Sequence, residues 1–528
     1  MRDFHFPGRS SVLASNGMVA TSHPIAAAEA LAVLRDGGNA VDAAIAGAVI
    51  LGVCEPQMTG IGGDCFALVK PAGHSEIVAL NGPGRAPAGL SADDLRAEGL
   101  TRIEPGHPAS ITIPGAVDAL CRLSDRFGKA GLDRSLAPAI RLFEEGVPIA
   151  PRVAFDIADH GAAMTEDTRR HYLNGGRPYA VGERLSLAGQ AEVLRRIARH
   201  GREAFYSGEV ADDMLAALKA IGGAHTAQDF LTTEANWNTP VSGSYRGTEL
   251  IEHPPNGQGA TAILLAGILA EFDIARMDPN GVERFHLEAE ATKLAYDARN
   301  RFLSDADHMT RLDHMLSPET ARQLAALIDP KRAMAAPAPL SEDVHKDTIL
   351  ITVVDRDGMA VSLIYSIFAT FGAGVASPKF GILFHNRGSG FNLTPSHANE
   401  AGPGKRPMHT IIPAMRATGG VVDMAFGVMG GQYQATGHAH VLSNMVDFGM
   451  DPQEALDSPR AFADPISGLL RIERGVPESV RAALAEMGHK IEVPKEPIGG
   501  AQAILMDHER GVLIGASDPR KDGLAIGY

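Results

Sequence analysis

TILITVVDRDGMAVSLIYSIF, residues 348–368, decides the fold. Residues 348–354 are apolar and β-branched, the composition that suits a pleated, buried strand. DRDG (355–358) is turn chemistry, and MAVSLIYSIF (359–368) is a second apolar run. Two such runs around a short polar turn predict a β-hairpin in the core. The segment before it, DPKRAMAAPAPLSEDVHKD (329–347), is rich in Ala, Pro and charge and has no period. It reads as a mobile linker. A threonine, Thr348, therefore opens a core strand directly after a dispensable stretch.

That placement has a chemical reading. A threonine hydroxyl is a poor nucleophile without an adjacent base. If the chain is cut between Asp347 and Thr348, the new α-amine is that base, with an ordinary pKa of about 7.7–8.0. One residue then supplies nucleophile and base together. A β-favouring residue at a strand start is the plain structural alternative, and the local pattern alone leaves both open.

Working outward, the upstream chain reads as helix-rich. HPIAAAEALAVLRDGGNAVDAAIAGAVILGV (23–53) predicts two helices broken at Gly37-Gly38, the second starting at Asn39. TGIGGD (59–64) leads into a strand rather than a helix, and no GKS/T follows, so a phosphate loop is not expected. Residues 186–221 and 283–303 carry helical spacing, and the charges of the latter read as a solvated face. TPVSGSYRGTELIEHPP (239–255) reads as two strands around Tyr245-Arg246-Gly247. Downstream, Met424–Val428 read as a strand, then Gly430-Gly431, then a helix from about Gln432. Glycine amides at a helix start can hold an oxyanion, although a tight turn explains them equally well. His438 and His440 diverge on a helix and read as one packed and one surface histidine rather than a metal pair. The whole pattern predicts helices outside and sheets inside, an α/β/β/α domain.

Bulk properties exclude several classes. The 528 residues are 45% hydrophobic and 21% charged, an ordinary globular balance. A net charge of −15 disfavours nucleic acid and anionic membrane as partners. Three cysteines, Cys54, Cys65 and Cys121, form neither a disulfide framework nor a zinc spacing and suit a reducing compartment. The N-terminal residues lack a signal-peptide pattern, and the most apolar stretch, 41–56, is too short to span a bilayer. A cytoplasmic protein is expected, with no metal or organic cofactor.

Many ordered stretches resemble the γ-glutamyltransferase family of N-terminal-nucleophile hydrolases. They include GGNAVDAA (37–44), IPGAV (113–117), GREAFYSGEVAD (201–212), KLAYDARNRFLSDAD (293–307), VVDRDGMAVSLIYSIFATFGAGV (353–375), KRPMHTIIPAM (405–415) and ASDPRKDGLAIGY (516–528). The resemblance implies an α+β fold, a four-layer αββα sandwich, made as a proenzyme that cuts itself before a threonine. Carried over, Thr348 is the nucleophile and Asp347–Thr348 the scissile bond. The large piece is 1–347 and the small piece 348–528, interleaved in one domain as a heterodimer, with a dimer of these as a further possibility. Ser366 is the hydroxyl beside the nucleophile, and Gly430 and Gly431 line the oxyanion hole.

The departures bear on substrate. The family's glutamyl-binding arginine corresponds to Arg85 in NGPGRAP (81–87), displaced by two residues, which keeps the same face of an extended segment. Phe368 replaces an asparagine, and Gly390 replaces the acid that grips the substrate's α-amine. Arg387 occupies a glutamine position, either as a substrate ligand or as a solvent-facing loop cation. His409-Thr410 replaces a serine pair. Such a site has lost its anion for an α-ammonium and is narrowed by Phe368 and His409. It predicts a small amide with a carboxylate and no α-amine, as in the oxamate amidohydrolase branch. A γ-glutamyl hydrolase or transpeptidase, a glutaryl acylase, and an unprocessed non-enzymatic relative are the alternatives.

Overall fold

The computed structural model describes residue 5 and residues 8–158, 164–334 and 349–528. The hairpin sits at the centre of a seven-stranded antiparallel sheet. Ile349–Val354 pairs with Ala360–Ser366 in the register Ile349↔Tyr365 to Val354↔Ala360. Met18–Thr21 and Leu524–Gly527 extend the sheet on one side. Asp64–Lys70, Val78–Gly82 and Asn236–Asn238 extend it on the other. A second seven-stranded sheet runs Val12–Ala14, Val512–Ser517, Gly500–Asp507, Val421–Met429, Ala414–Thr418, Thr248–Glu252 and Val241–Tyr245.

Both hairpin strands are fully buried, so the period of two shows in what each side chain touches. Ile349, Ile351, Val353 and Leu363 join a core with the helices Pro24–Arg35 and Ala40–Cys54. Val354 and Ala360 join Ile251, Met415 and Ala425 of the second sheet. Leu350, Ile364 and Phe66 meet Ile411 and Met429 in a small cluster of their own. The Ser362 hydroxyl donates to Phe426 O (2.9 Å), a hydrogen bond between the sheets. A further core packs Ala414, Phe426 and Val428 of the second sheet against the helices Gly259–Ala270, Val282–Phe302 and Gln434–Val446.

The helix break falls where expected: Asn39 caps Ala40–Cys54 by a capping box with Asp42. The 239–255 hairpin forms, with Arg246 and Gly247 at positive φ in its two-residue turn.

Three readings are corrected. The charges of Val282–Phe302 do not form a solvated face: Arg284, His286, Glu288, Glu290 and Arg299 are buried. They are matched within the helix, as in the Arg284–Glu288 ion pair (2.8 Å), and across to a neighbouring helix, as in the His440–Glu288 contact (2.9 Å). Neither His438 nor His440 is at the surface, and His438 Nδ1 lies 2.6 Å from Glu252. The first residues of the supposed linker are held in place. Asp329 O lies 2.8 Å from His286 Nε2, Ala333 N–H donates to Met487 O, and Met334 N–H donates to Glu290.

Candidate active site

The site assembles at one end of the first sheet, where Asp64 opens its strand opposite Ser366, the last residue of the hairpin. Gly62 and Gly63 make this approach feasible. A Cβ on Gly62 would lie 2.2 Å from Leu383 O, and one on Gly63 would lie 2.3 Å from Ser366 O. The Ser366 hydroxyl oxygen accepts the Phe368 N–H (2.9 Å). Phe368 is held at φ 77°, an uncommon and costly conformation for a bulky residue, of the kind found where a side chain must be aimed. Its ring lies against the Arg387 guanidinium, 3.9 Å from carbon to ring centre.

Arg387 and Asp64 form a fully buried pair, Nε to Oδ2 at 3.1 Å. Arg387 Nη1 donates to Thr410 Oγ1 (3.1 Å), and its main-chain N–H donates to His385 Nδ1. His409 Nε2 lies 2.9 Å from the same Asp64 oxygen. Burial opposes charge on Asp64, but the His409 hydrogen bond and Arg387 hold its carboxyl well below the usual range. His385 accepts the Arg387 N–H at Nδ1, and its Nε2 lies 3.0 Å from Thr112 O, so it is neutral. The electrostatic support for Asp64 therefore comes from Arg387 and from the N–H of His409. Burial, more than Asp64 can offset, brings Arg387 down to about 10, still cationic at neutral pH. Burial and Arg387 together bring His409 down to about 3.

Three buried polar atoms of this group have no partner among the described residues: Arg387 Nη2, Asp64 Oδ1 and His409 Nδ1. A buried donor or acceptor left unmatched costs about 1–3 kcal/mol, so such atoms point to a ligand.

Across the site, the strand Val421–Met429 ends in Gly430 at φ 117° and Gly431 at φ 55°. Gly430 also packs where a Cβ would meet Gly499 Cα at 2.8 Å. A 3-10 turn, Gly431–Tyr433, then leads into the helix Gln434–Val446. Among the described residues neither Gly430 nor Gly431 N–H has an acceptor. Two free amides at a helix start suit a developing oxyanion.

The structure thus brings Ser366, Phe368, Arg387, His409 and Thr410 together. The solvent-facing reading of Arg387 is corrected, since the residue is fully buried. Arg85 makes other contacts: Nη1 donates to Asp305 (3.3 Å) and Gly404 O (2.9 Å), and its side chain is 41% exposed. Asp347 and Thr348 lie outside the described residues. The sequence reading missed Asp64 and His385. Asp64 places a carboxylate where none was expected, although Arg387 balances its charge. A signal existed: an acid opening the otherwise apolar strand DCFALVK must be buried and paired.

Among the described residues one group offers metal-type donors, His286, Glu290 and His489, with ligand atoms within 4.8 Å of one another. Their atoms already engage one another and the chain. His286 Nδ1 and His489 Nε2 lie 2.8 Å apart, and Glu290 pairs with Lys293 at 2.6 Å. The adjacent ammonium opposes a second cation, so the group reads as a clasp on residues 329–334.

The gamma-glutamyltranspeptidase family model matches residues 26–528. The chain belongs to that family. It is 34% identical to the glutathione hydrolase-like YwrD proenzyme of Bacillus subtilis (strain 168), covering 98% of this chain and 99% of that one. It is 33% identical to the oxamate amidohydrolase proenzyme of Klebsiella pneumoniae, covering 98% and 100%. Its fold is similar to the crystal structure of cephalosporin acylase from Bacillus halodurans, with a TM-score of 0.92, 37% identity and coverage of 100% and 99%. As a member of the gamma-glutamyltranspeptidase family the chain is an amidohydrolase made as a proenzyme. No helix among the described residues is long and apolar enough to cross a membrane.

Buried neutral histidines set a pH dependence. Burial lowers His23 to about 4, and His409 is lowered to about 3. Both stay neutral in the folded chain, whereas in the unfolded chain they protonate near their ordinary value of 6.5. Below that value the unfolded state binds more protons, so stability is intact above pH 6.5 and falls as pH falls towards 4 and 3. The two together are expected to remove about 4 kcal/mol by pH 5. Urea midpoints at pH 7.5 and 5.0 check this: the lower midpoint is expected at pH 5.0, and equal midpoints would contradict it.

Proposed function

We propose that the protein is a self-processing threonine amidohydrolase whose substrate is a small amide bearing a carboxylate, with oxamate preferred. Cleavage between Asp347 and Thr348 divides it into 1–347 and 348–528, which stay together as one domain. The four-layer αββα arrangement is supported by one core shared between the two sheets and by a helix-packed core on each. Thr348 adjoins Ile349, whose strand partner Tyr365 immediately precedes Ser366. The Thr348 hydroxyl attacks the amide carbonyl, and its own α-amine takes the proton. Gly430 and Gly431 hold the oxyanion, and the amine returns the proton to the departing ammonia. Water then attacks the acyl ester, releasing the acid and restoring the threonine.

The observation that carries the substrate assignment is the buried Arg387, cationic, packed under Phe368, with Nη2 unmatched. A guanidinium edge in a dry setting is suited to a carboxylate. Arg85, paired with Asp305, is left as a support of its loop. Three buried free cysteines suit a reducing compartment, and we assign the protein to the cytoplasm.

A second reading rests on Asp64 Oδ1, an unmatched buried acceptor that suits a substrate N–H donor. It favours γ-glutamyl amides, with their α-ammonium. Ammonia release from oxamate, compared with turnover of a γ-glutamyl anilide, separates the two. The proposal expects the first to exceed the second by at least about 100-fold in kcat/KM, the scale of one charge-assisted contact. The reverse order would give the site to γ-glutamyl substrates.

A further inference from the structure

A fully buried glutamine, Gln258, joins the two halves of the site. Its Nε2 donates to Thr410 O (2.7 Å) and to Gly431 O (3.1 Å). Thr410 is the residue whose hydroxyl takes the Arg387 N–H, and Gly431 is the second glycine of the oxyanion loop. The amide thus bridges the carboxylate grip and the oxyanion donors with no residue between.

The bridge is itself fixed on every side. Gln258 N–H donates to His409 O (3.0 Å), and His409 N–H donates to Asn256 O (2.8 Å). Gln258 Oε1 accepts from Arg299 Nη1 (2.9 Å). Arg299 is fully buried, and the same nitrogen also donates to Gln432 Oε1, next to Gly431. Its guanidinium lies over the Tyr296 ring (4.4 Å), and the Tyr296 hydroxyl donates to Gln432 O. The oxyanion loop is therefore tied twice to Arg299, once through Gln258 and once through Gln432. Because all these groups are buried and matched, neither loop can shift without breaking bonds that water cannot replace.

We infer that Gln258 is a positioning residue that sets the span between the Arg387 grip and the Gly430–Gly431 oxyanion donors, and so sets the acyl length the enzyme accepts. The inference rests on the amidohydrolase reading above. A substrate whose carboxylate and scissile carbonyl match that span engages both ends together. A shorter or longer acyl group engages one end only. Such misplacement appears in kcat, because the oxyanion contacts act in the transition state.

The test compares wild type, Gln258→Ala and Gln258→Met on oxamate, succinamate and glutaramate, reading kcat and KM for each. Gln258→Met keeps the length of the side chain and removes the N–H donors without adding a charge, so it serves if Gln258→Ala fails to fold. Wild type is expected to prefer one length sharply. The variants are expected to lose about 10–100-fold in kcat on that length, and their preference over the other lengths should flatten at least about 10-fold. An unchanged length profile in a processed variant, or an equal loss on all three amides, would overturn the inference while leaving the amidohydrolase reading intact. Wild type that is processed yet releases ammonia from none of them would remove the small-carboxylate reading and the inference with it.

Discussion

Replacing Thr348 by alanine is expected to leave one 55.6 kDa chain and to abolish amide hydrolysis, a loss of about 10³-fold or more. The reason is that one residue is asked to be nucleophile, base and cleavage site. Without the hydroxyl there is no attack on the preceding peptide bond, hence no new amine, and no attack on substrate. Thr348→Ser keeps both groups and is expected to be processed and to retain activity within about 100-fold. Gel mobility and ammonia release read the two effects together. A Thr348→Ala protein that splits normally, or that still hydrolyses the substrate, would remove Thr348 from the chemistry.

Replacing Arg387 is expected to have the next largest effect, on stability and substrate use at once. Arg387→Met leaves Asp64 as an unbalanced buried carboxylate, which costs about 3–5 kcal/mol. The double variant Arg387→Met with Asp64→Asn removes both charges and should regain most of that loss. Substrate use should behave differently. Both variants are expected to lose about 100-fold or more in kcat/KM on a carboxylate-bearing amide, because the cation is gone in each. Denaturation midpoints and kinetics on the same preparations separate the effects. A double variant that regains activity along with stability would show that Arg387 serves only to balance Asp64.

The hairpin 348–368 was legible because β-branched runs around DRDG admit few other structures, and the register Ile349↔Tyr365 follows from that turn. The helix break at Gly37-Gly38 was legible because Asn39 carries its own cap. Charge on a helix was not legible in the same way. In Val282–Phe302 the spacing indicates a helix, but whether Arg284 or Glu290 meets water depends on partners far along the chain, such as Met334 and His440. The site shows the same division. Ser366 and the Gly430–Gly431 pair come from local pattern and resemblance. Asp64 was not legible because nothing in the local pattern shows that Gly62 and Gly63 before it bring two backbones together. Arg387 as a loop residue gave no sign of burial, since what buries it is Phe368 above and Asp64 and Thr410 beside it.

The most direct measurement is the intact mass of freshly purified wild-type protein under denaturing conditions, followed by N-terminal sequencing of each species. Two fragments are expected, about two thirds and one third of 55.6 kDa, the smaller beginning at Thr348. A single 55.6 kDa species that persists on incubation would contradict this, because Thr348 would then have no amine to act as base.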